Sequence, residues 1–235
     1  MNTRPVCLSA AFTAGLFLSG FASANLIQNG GFEDPTINSP LGQEFTPGQY
    51  IGAWLVVGDS SAGVIITPTN YSETSHGMNQ FEAEEGLQSL DLPGSYNQGT
   101  TSGVSQSIAT GVGATYQVSF YLGAADSNNN NNYYSTAPAV DLSFDGGVTR
   151  AHFVNPDLTS SPGYISWEQF QTSFVATGTT TNITFYDGTS PWTCCEAGLD
   201  NVVVLGPTTP EPFTMVLGAA GLGLALARRR KANKA

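Results

Sequence analysis

Residues 115–122 read Thr-Tyr-Gln-Val-Ser-Phe-Tyr-Leu. Tyr116, Val118, Phe120 and Leu122 fall on one side, and Thr115, Gln117, Ser119 and Tyr121 on the other. A period of two is that of a β-strand with one face buried, because successive side chains point to opposite faces. Residues 139–145 repeat the pattern, with Val140, Leu142 and Phe144 inward and Asp141, Ser143 and Asp145 outward. Asp145-Gly146-Gly147 then supplies a tight-turn signal. Further out, residues 103–108 set Val104, Gln106 and Ile108 on one face, residues 181–187 set Ile183 and Phe185 inward, and residues 167–176 place Phe170 and Phe174 in register. Residues 199–205 are almost continuously apolar, as expected of a central strand. Weaker strands are expected at 26–33, 54–57, 64–66 and 89–92. Trp54 and Trp167 lie within strand patterns and are expected in the core. No stretch between the two ends of the chain carries a helical stripe. Eight to ten short strands predict an all-β, two-sheet β-sandwich of jelly-roll form, with a small barrel as the alternative. Three longer loops, 33–52, 71–86 and 126–138, are where function is expected to sit. The last contains the run Asn128 to Asn132.

Composition agrees. The 235 residues include 27 Gly and 13 Pro, with only 11% charged. The richness in Val, Ile, Phe, Tyr and Trp argues against disorder. Residues 25–209 hold seventeen Asp and Glu against a single base, Arg150. Such a surface excludes electrostatic nucleic-acid binding, which needs clustered Lys and Arg. It also disfavours polyanionic ligands.

The remaining bases are at the ends. Arg4, an apolar stretch from Val6 to Phe21 and the box Ala22-Ser23-Ala24 form a secretory signal peptide over residues 1–24, with cleavage expected after Ala24. After a sandwich domain over 25–206 comes a linker, 207–212, containing Pro210-Glu211-Pro212. An uncharged stretch, 213–227, and a basic tail, 228–235, follow. As a helix the fifteen residues 213–227 are about 22 Å long, short for the ~30 Å hydrocarbon core. The basic tail stays cytoplasmic by the positive-inside rule. Pro210-Glu211-Pro212, the short apolar helix and the arginine cluster together resemble the PEP-CTERM sorting signal of Gram-negative bacteria. The resemblance implies Sec export, an inner-membrane intermediate, processing by an exosortase that recognises Pro210, Glu211 and Pro212, and delivery to the cell surface or a biofilm matrix.

The ordered set NGGFE at 29–33, Trp54, EEGLQSLDLPGS at 84–95, GVSQSI at 103–108, TYQVSFYLG at 115–123 and GLDNVVV at 198–204 resembles the galactose-binding-like jelly-roll domains of carbohydrate-binding modules. In carbohydrate-binding modules of that type the first and last strands commonly share a structural calcium site. The resemblance places it at Glu33 and Asp200, with backbone carbonyls near Asn29 or Gly31 completing a shell of oxygens. It also implies a polysaccharide partner. Sugars are held by aromatic faces and a few placed polar groups, and Tyr133 and Tyr134 beside the asparagine run, with Trp192, are the expected ligand-binding aromatics. Asp91, in Ser-Leu-Asp-Leu-Pro-Gly, reads as a turn acid.

Cys194 and Cys195 remain once the signal is removed. Neighbouring Cα atoms are about 3.8 Å apart, below the usual disulfide range. A strained vicinal disulfide is favoured in an oxidising compartment, with a free pair or intermolecular pairing left open. Catalysis is not expected. Gly58-Asp59-Ser60 resembles the start of a secreted-esterase motif but has no late D-x-x-H to supply a base. Glu82, Glu84 and Glu85 crowd one loop, whereas a glycosidase pair needs two separated carboxylates. A purely structural matrix protein is the alternative reading.

Overall fold

The alternation at 115–122 becomes an eleven-residue strand, β7 (Thr115–Ala125), paired antiparallel along its whole length with β10 (Ile165–Val175). In this computed structural model, which describes residues 24–94, 101–125, 134, 136–158, 163–189 and 197–207, β7 lies next to the edge strand β10 in a six-stranded sheet. The first sheet runs in the order β1 (Gln43–Phe45), β4 (Val64–Pro68), β5 (Gln88–Asp91), β12 (Ala197–Leu205), β7, β10. The second runs β2 (Tyr50–Ile51), β3 (Trp54–Gly58), β6 (Ser102–Ala109), β11 (Thr180–Asp187), β8 (Ala139–Ser143), β9 (Ala151–Val154). Neighbouring strands in both sheets are antiparallel. The architecture is the expected all-β sandwich of two antiparallel sheets.

The inward residues of the two sheets meet in one apolar core. Phe120 of β7 lies at its centre, edge-on to Phe185 at 5.1 Å and Phe153 at 5.3 Å and stacked on Phe170 at 5.8 Å. Fully burying a side chain of this kind stabilises the fold by roughly 1.5–3 kcal/mol. Trp54 is wholly buried, as expected, between Phe32 at 5.7 Å and Phe185 at 6.1 Å.

Three differences from the sequence reading position the site. First, β1, β2 and β9 were not anticipated. They are two to four residues long, too short for alternation to register. Second, residues 26–33 do not form a strand beyond a bridge between Asn25 and Leu205. Asn29 and Phe32 adopt positive φ, +56° and +57°, which breaks any ladder. Side chains replace the missing backbone partners. Asn25 bonds Val202 O and Val204 N, and Gln106 exchanges two bonds with the backbone of Gln28. The buried Gln88 donates to Phe32 O and Pro35 O. Third, Trp167 lies outside the main core. It sits half-buried on the outer face of the first sheet, in a satellite cluster with Met78, Phe81, Ala125, Tyr134, Ile165 and Tyr71. Its indole rests across two glycines: a Cβ on Gly123 or Gly198 would come within 2.8 or 2.9 Å of the ring. The segment 69–87, including a 3-10 turn at Thr74–His76, contributes Tyr71, Met78 and Phe81 to this cluster, and its Glu82 O accepts from the Trp167 indole.

Residues Ser23–Pro207 form one compact unit. Among the described residues no helix is long and apolar enough to cross a membrane. The signal peptide, the sorting motif Pro210, Glu211 and Pro212, and the apolar stretch 213–227 lie outside the described residues apart from Ala24.

Candidate functional site

The two residues expected at a metal, Glu33 and Asp200, both lie beside Gly31. A Cβ on Gly31 would stand 3.7 Å from Asp200 Oδ1 and 3.9 Å from Glu33 Cγ. Asp200 is fully buried at a bulge in β12, where Asn201 takes positive φ, +46°. Both carboxylates grip the segment between them and β5. Asp200 Oδ2 accepts from the amides of Glu84 (2.9 Å) and Glu85 (3.0 Å), and Oδ1 accepts from Asn201 N at 2.7 Å. Glu33 Oε1 accepts from the amides of Leu87 (2.7 Å) and Gln88 (2.9 Å). Glu84 Oε2 in turn takes the Asn201 side-chain amide at 3.0 Å. Burial pushes Asp200 up to about 7, against the lowering effect of its amide bonds. The charge of Glu84 raises the Tyr121 hydroxyl.

This clamp is rich in oxygen and lacks a compensating cation among the described residues. Glu33 and Asp200 are the side chains that would hold Ca²⁺. Their number falls short of the six to eight oxygens Ca²⁺ takes, so backbone carbonyls would have to complete the shell. Among the described residues no three His, Cys, Asp or Glu side chains are grouped to hold a metal by themselves. The fit is therefore partial: both carboxylates hold amides of the segment 84–88, and those amides occupy much of their bonding capacity.

The expected ligand aromatics fare differently. Tyr134 is buried, at 8% exposure, edge-on to Phe81 at 6.1 Å, with its hydroxyl bonded to Glu73. A ring so packed offers no face to a sugar, and Tyr134 acts here as a core residue of the satellite cluster. Tyr133, Trp192, Cys194 and Cys195 lie outside the described residues. Asp91 ends β5 rather than a turn. Burial and the charge of Asp187 push it well above the ordinary carboxylate range, and its Oδ1 is buried without a hydrogen-bond partner.

A second arrangement lies on the outer face of the second sheet. Strand register sets His152, Asp141, Tyr186, Gly103 and Val57 in one row across β9, β8, β11, β6 and β3. The next row holds Ser143, Thr184, Ser105, Leu55 and Tyr50. Gly103 lets the Tyr186 ring lie low, since a Cβ there would be 3.1 Å from Cδ1 of the tyrosine. The Arg150 guanidinium stands 3.9 Å over that ring, a cation–π distance. Asp141 lies between two basic groups, 2.7 Å from His152 Nδ1 and 3.9 Å from Arg150. Ser105 and Thr184 hydroxyls bond at 2.8 Å, and Ser107 donates to Asn182. Tyr50, 63% exposed, stands at the far side. The β8–β9 loop is tied by Asp145, whose carboxyl is held down at about 2, chiefly by the Thr149 amide and then by Ser143. The result is a solvent-facing surface with three planar polar groups beside a floor of hydroxyls and amides. Asp141 was legible only as an outward residue, and Arg150 only as the lone base of the domain.

No family model matches the chain, and no curated protein matches it significantly. Solved structures do. The Stig cyclase Fisc from Fischerella sp. TAU, in complex with an indole compound, superposes with a TM-score of 0.54 at 15% identity, covering 80% of this chain and 100% of that one. A carbohydrate-binding module, TmCBM61, in complex with β-1,4-galactotriose gives 0.45 at 17% identity, covering 79% and 100%. The CBM22-1 xylan-binding domain of Paenibacillus barcinonensis Xyn10C gives 0.41 at 13%, covering 82% and 100%. At these identities the likeness to the cyclase is one of fold alone.

Proposed function

We propose that this domain binds a neutral extracellular polysaccharide and does so as a binding module rather than an enzyme. The observation that carries the proposal is the Arg150–Asp141–His152 cluster on the outer face of the second sheet. Planar donors and acceptors whose outer edges meet solvent suit the vicinal hydroxyls of a sugar, and the adjoining Ser105, Ser107, Thr184 and Asn182 extend the polar floor. The acidity of the domain favours an uncharged chain over a polyanion. Export by a PEP-CTERM-type route, with exosortase processing, supplies the compartment in which such a ligand is met. Mass spectrometry of the mature protein checks that route: both terminal segments should be missing, and retention of residues 213–235 counts against it.

Affinity electrophoresis against a panel of neutral polysaccharides tests the site. The double substitution Asp141→Ala with His152→Ala should weaken retention at least tenfold, a loss of about 1.4 kcal/mol, with little change in melting temperature. Unchanged retention removes the binding surface from the second sheet. Failure of every polysaccharide removes glycan binding altogether, and release of reducing ends overturns the non-catalytic assignment.

A further inference from the structure

Four strands form the edges of the two sheets, and they are not alike. β1, β2 and β9 have three, two and four residues. β10 has eleven, and its pairing with β7 runs without a bulge. An exposed edge is a row of unpaired N–H and C=O groups, and folded proteins blunt it with lysine, proline, a bulge or brevity. β10, Ile-Ser-Trp-Glu-Gln-Phe-Gln-Thr-Ser-Phe-Val, has none of these, and Glu168 is its sole charge. Near its start Asn155 donates to Ser166 O. From Trp167 to Ser173, the hydrogen bonds of the described residues leave the side away from β7 open.

We propose that β10 pairs antiparallel with the β10 of a second copy about a two-fold axis at Phe170, joining the two first sheets into one twelve-stranded sheet. The sequence of the strand favours this occupant over a foreign strand. With Phe170 opposite its counterpart, Gln169 faces Gln171, Glu168 faces Thr172 and Trp167 faces Ser173 from the second copy. The lone acid therefore never opposes itself, and the glutamine pairs can bond amide to amide. Parity keeps each pair on one face of the joined sheet. Phe170 is only partly buried against Phe120 and Phe153, and its counterpart would cover the remainder. A C2 contact of this kind is self-complementary and closes. The opposing force is long-range repulsion between two acidic domains, which salt screens, so the dimer tightens as salt rises.

Sedimentation velocity on the full-length chain in non-ionic detergent tests the pairing across micromolar concentrations and at low and high salt. The wild type should sediment as a dimer, more completely in high salt. Gln169→Lys with Gln171→Lys sets lysines opposite each other at two points and should abolish the dimer while leaving the melting temperature nearly unchanged. Gln117→Lys with Ser119→Lys, on the same face but one strand inward, should retain it. Hydrogen exchange gives a readout that needs no variant: within Trp167–Ser173, amides directed away from β7 should become protected as concentration rises. A monomeric wild type, a dimer that survives the β10 lysines, or concentration-independent exchange overturns the proposal.

Discussion

In metal-free buffer, the stability of the wild-type protein should fall as pH is raised from 4 to 8, and Asp200→Asn should remove much of that slope. Native Asp200 holds its proton up to about pH 7 because burial disfavours its charge. The unfolded chain releases it near the ordinary value of 3.8. Between those values the native state binds more protons than the unfolded state, so raising the pH favours unfolding. The full effect is on the order of 4 kcal/mol at pH 8 relative to pH 4, reduced by whatever solvent reaches the carboxyl. Asp91 and Asp187, also raised by burial, add slope of the same sign. Asp145, held at about 2, acts oppositely and only in acid, where its contribution disappears as pH falls towards 2.

Asparagine removes the charge and its carbonyl oxygen can keep the Glu84 and Glu85 amides, but its NH2 group then faces the Asn201 amide as donor against donor, which costs about 1–3 kcal/mol at low pH. The variant should therefore start less stable and approach the wild type as pH rises. Calcium supplies the second arm. A cation held by Glu33 and Asp200 would take the place of the proton. Added Ca²⁺ should then raise the wild-type melting temperature more at pH 8 than at pH 5, and do little for the variant. Parallel pH slopes in the two proteins would show that Asp200 is not the titrating group. An unchanged melting temperature with Ca²⁺ at pH 8 would exclude the metal.

Trp54→Ala should cost about 3–5 kcal/mol, a large part of the ~5–15 kcal/mol that holds a domain folded. The melting temperature should drop by roughly 10 °C or more. The indole is wholly buried between Phe32 and Phe185, and its Nε1 donates to Asn29 O at 2.9 Å. That bond ties β3 to the turn that presents Glu33. Trp54→Phe keeps most of the packing and loses the bond, so it should cost nearer 1 kcal/mol. The alanine variant should also blunt the calcium response, since Phe32 and the turn before Glu33 lose their support. Thermal unfolding of the three proteins decides this. A cost below about 0.5 kcal/mol, typical of a surface site, would remove Trp54 from the core.

The long strands were legible because their alternation is set by local geometry: Tyr116 to Leu122 must point one way if any of them does. The N-terminal segment was not. Residues 26–33 look extended, but Asn29 and Phe32 take positive φ, and the compensating bonds come from Gln88 and Gln106, far along the chain. Tyr134 looked like a loop aromatic beside asparagines. Phe81 and Glu73, contributed by a different loop, bury its ring and bond its hydroxyl. Glu33 and Asp200 were paired by family resemblance, and no spacing rule shows that both would grip residues 84–88.

The sequence by itself determined the sandwich, the concentration of bases at the two ends and the acidity of what lies between, because these depend on residue type and a period of two. Only the tertiary structure decided which polar residues meet. Asp141, His152 and Tyr186 gather on one face through the register of three strands in the order β11, β8, β9, and Arg150, in the loop just before β9, reaches over them. The contrast between three short edges and one long open one likewise depends on strand order. Register and strand order arise from contacts between residues distant in the chain, and such contacts leave no local pattern to read.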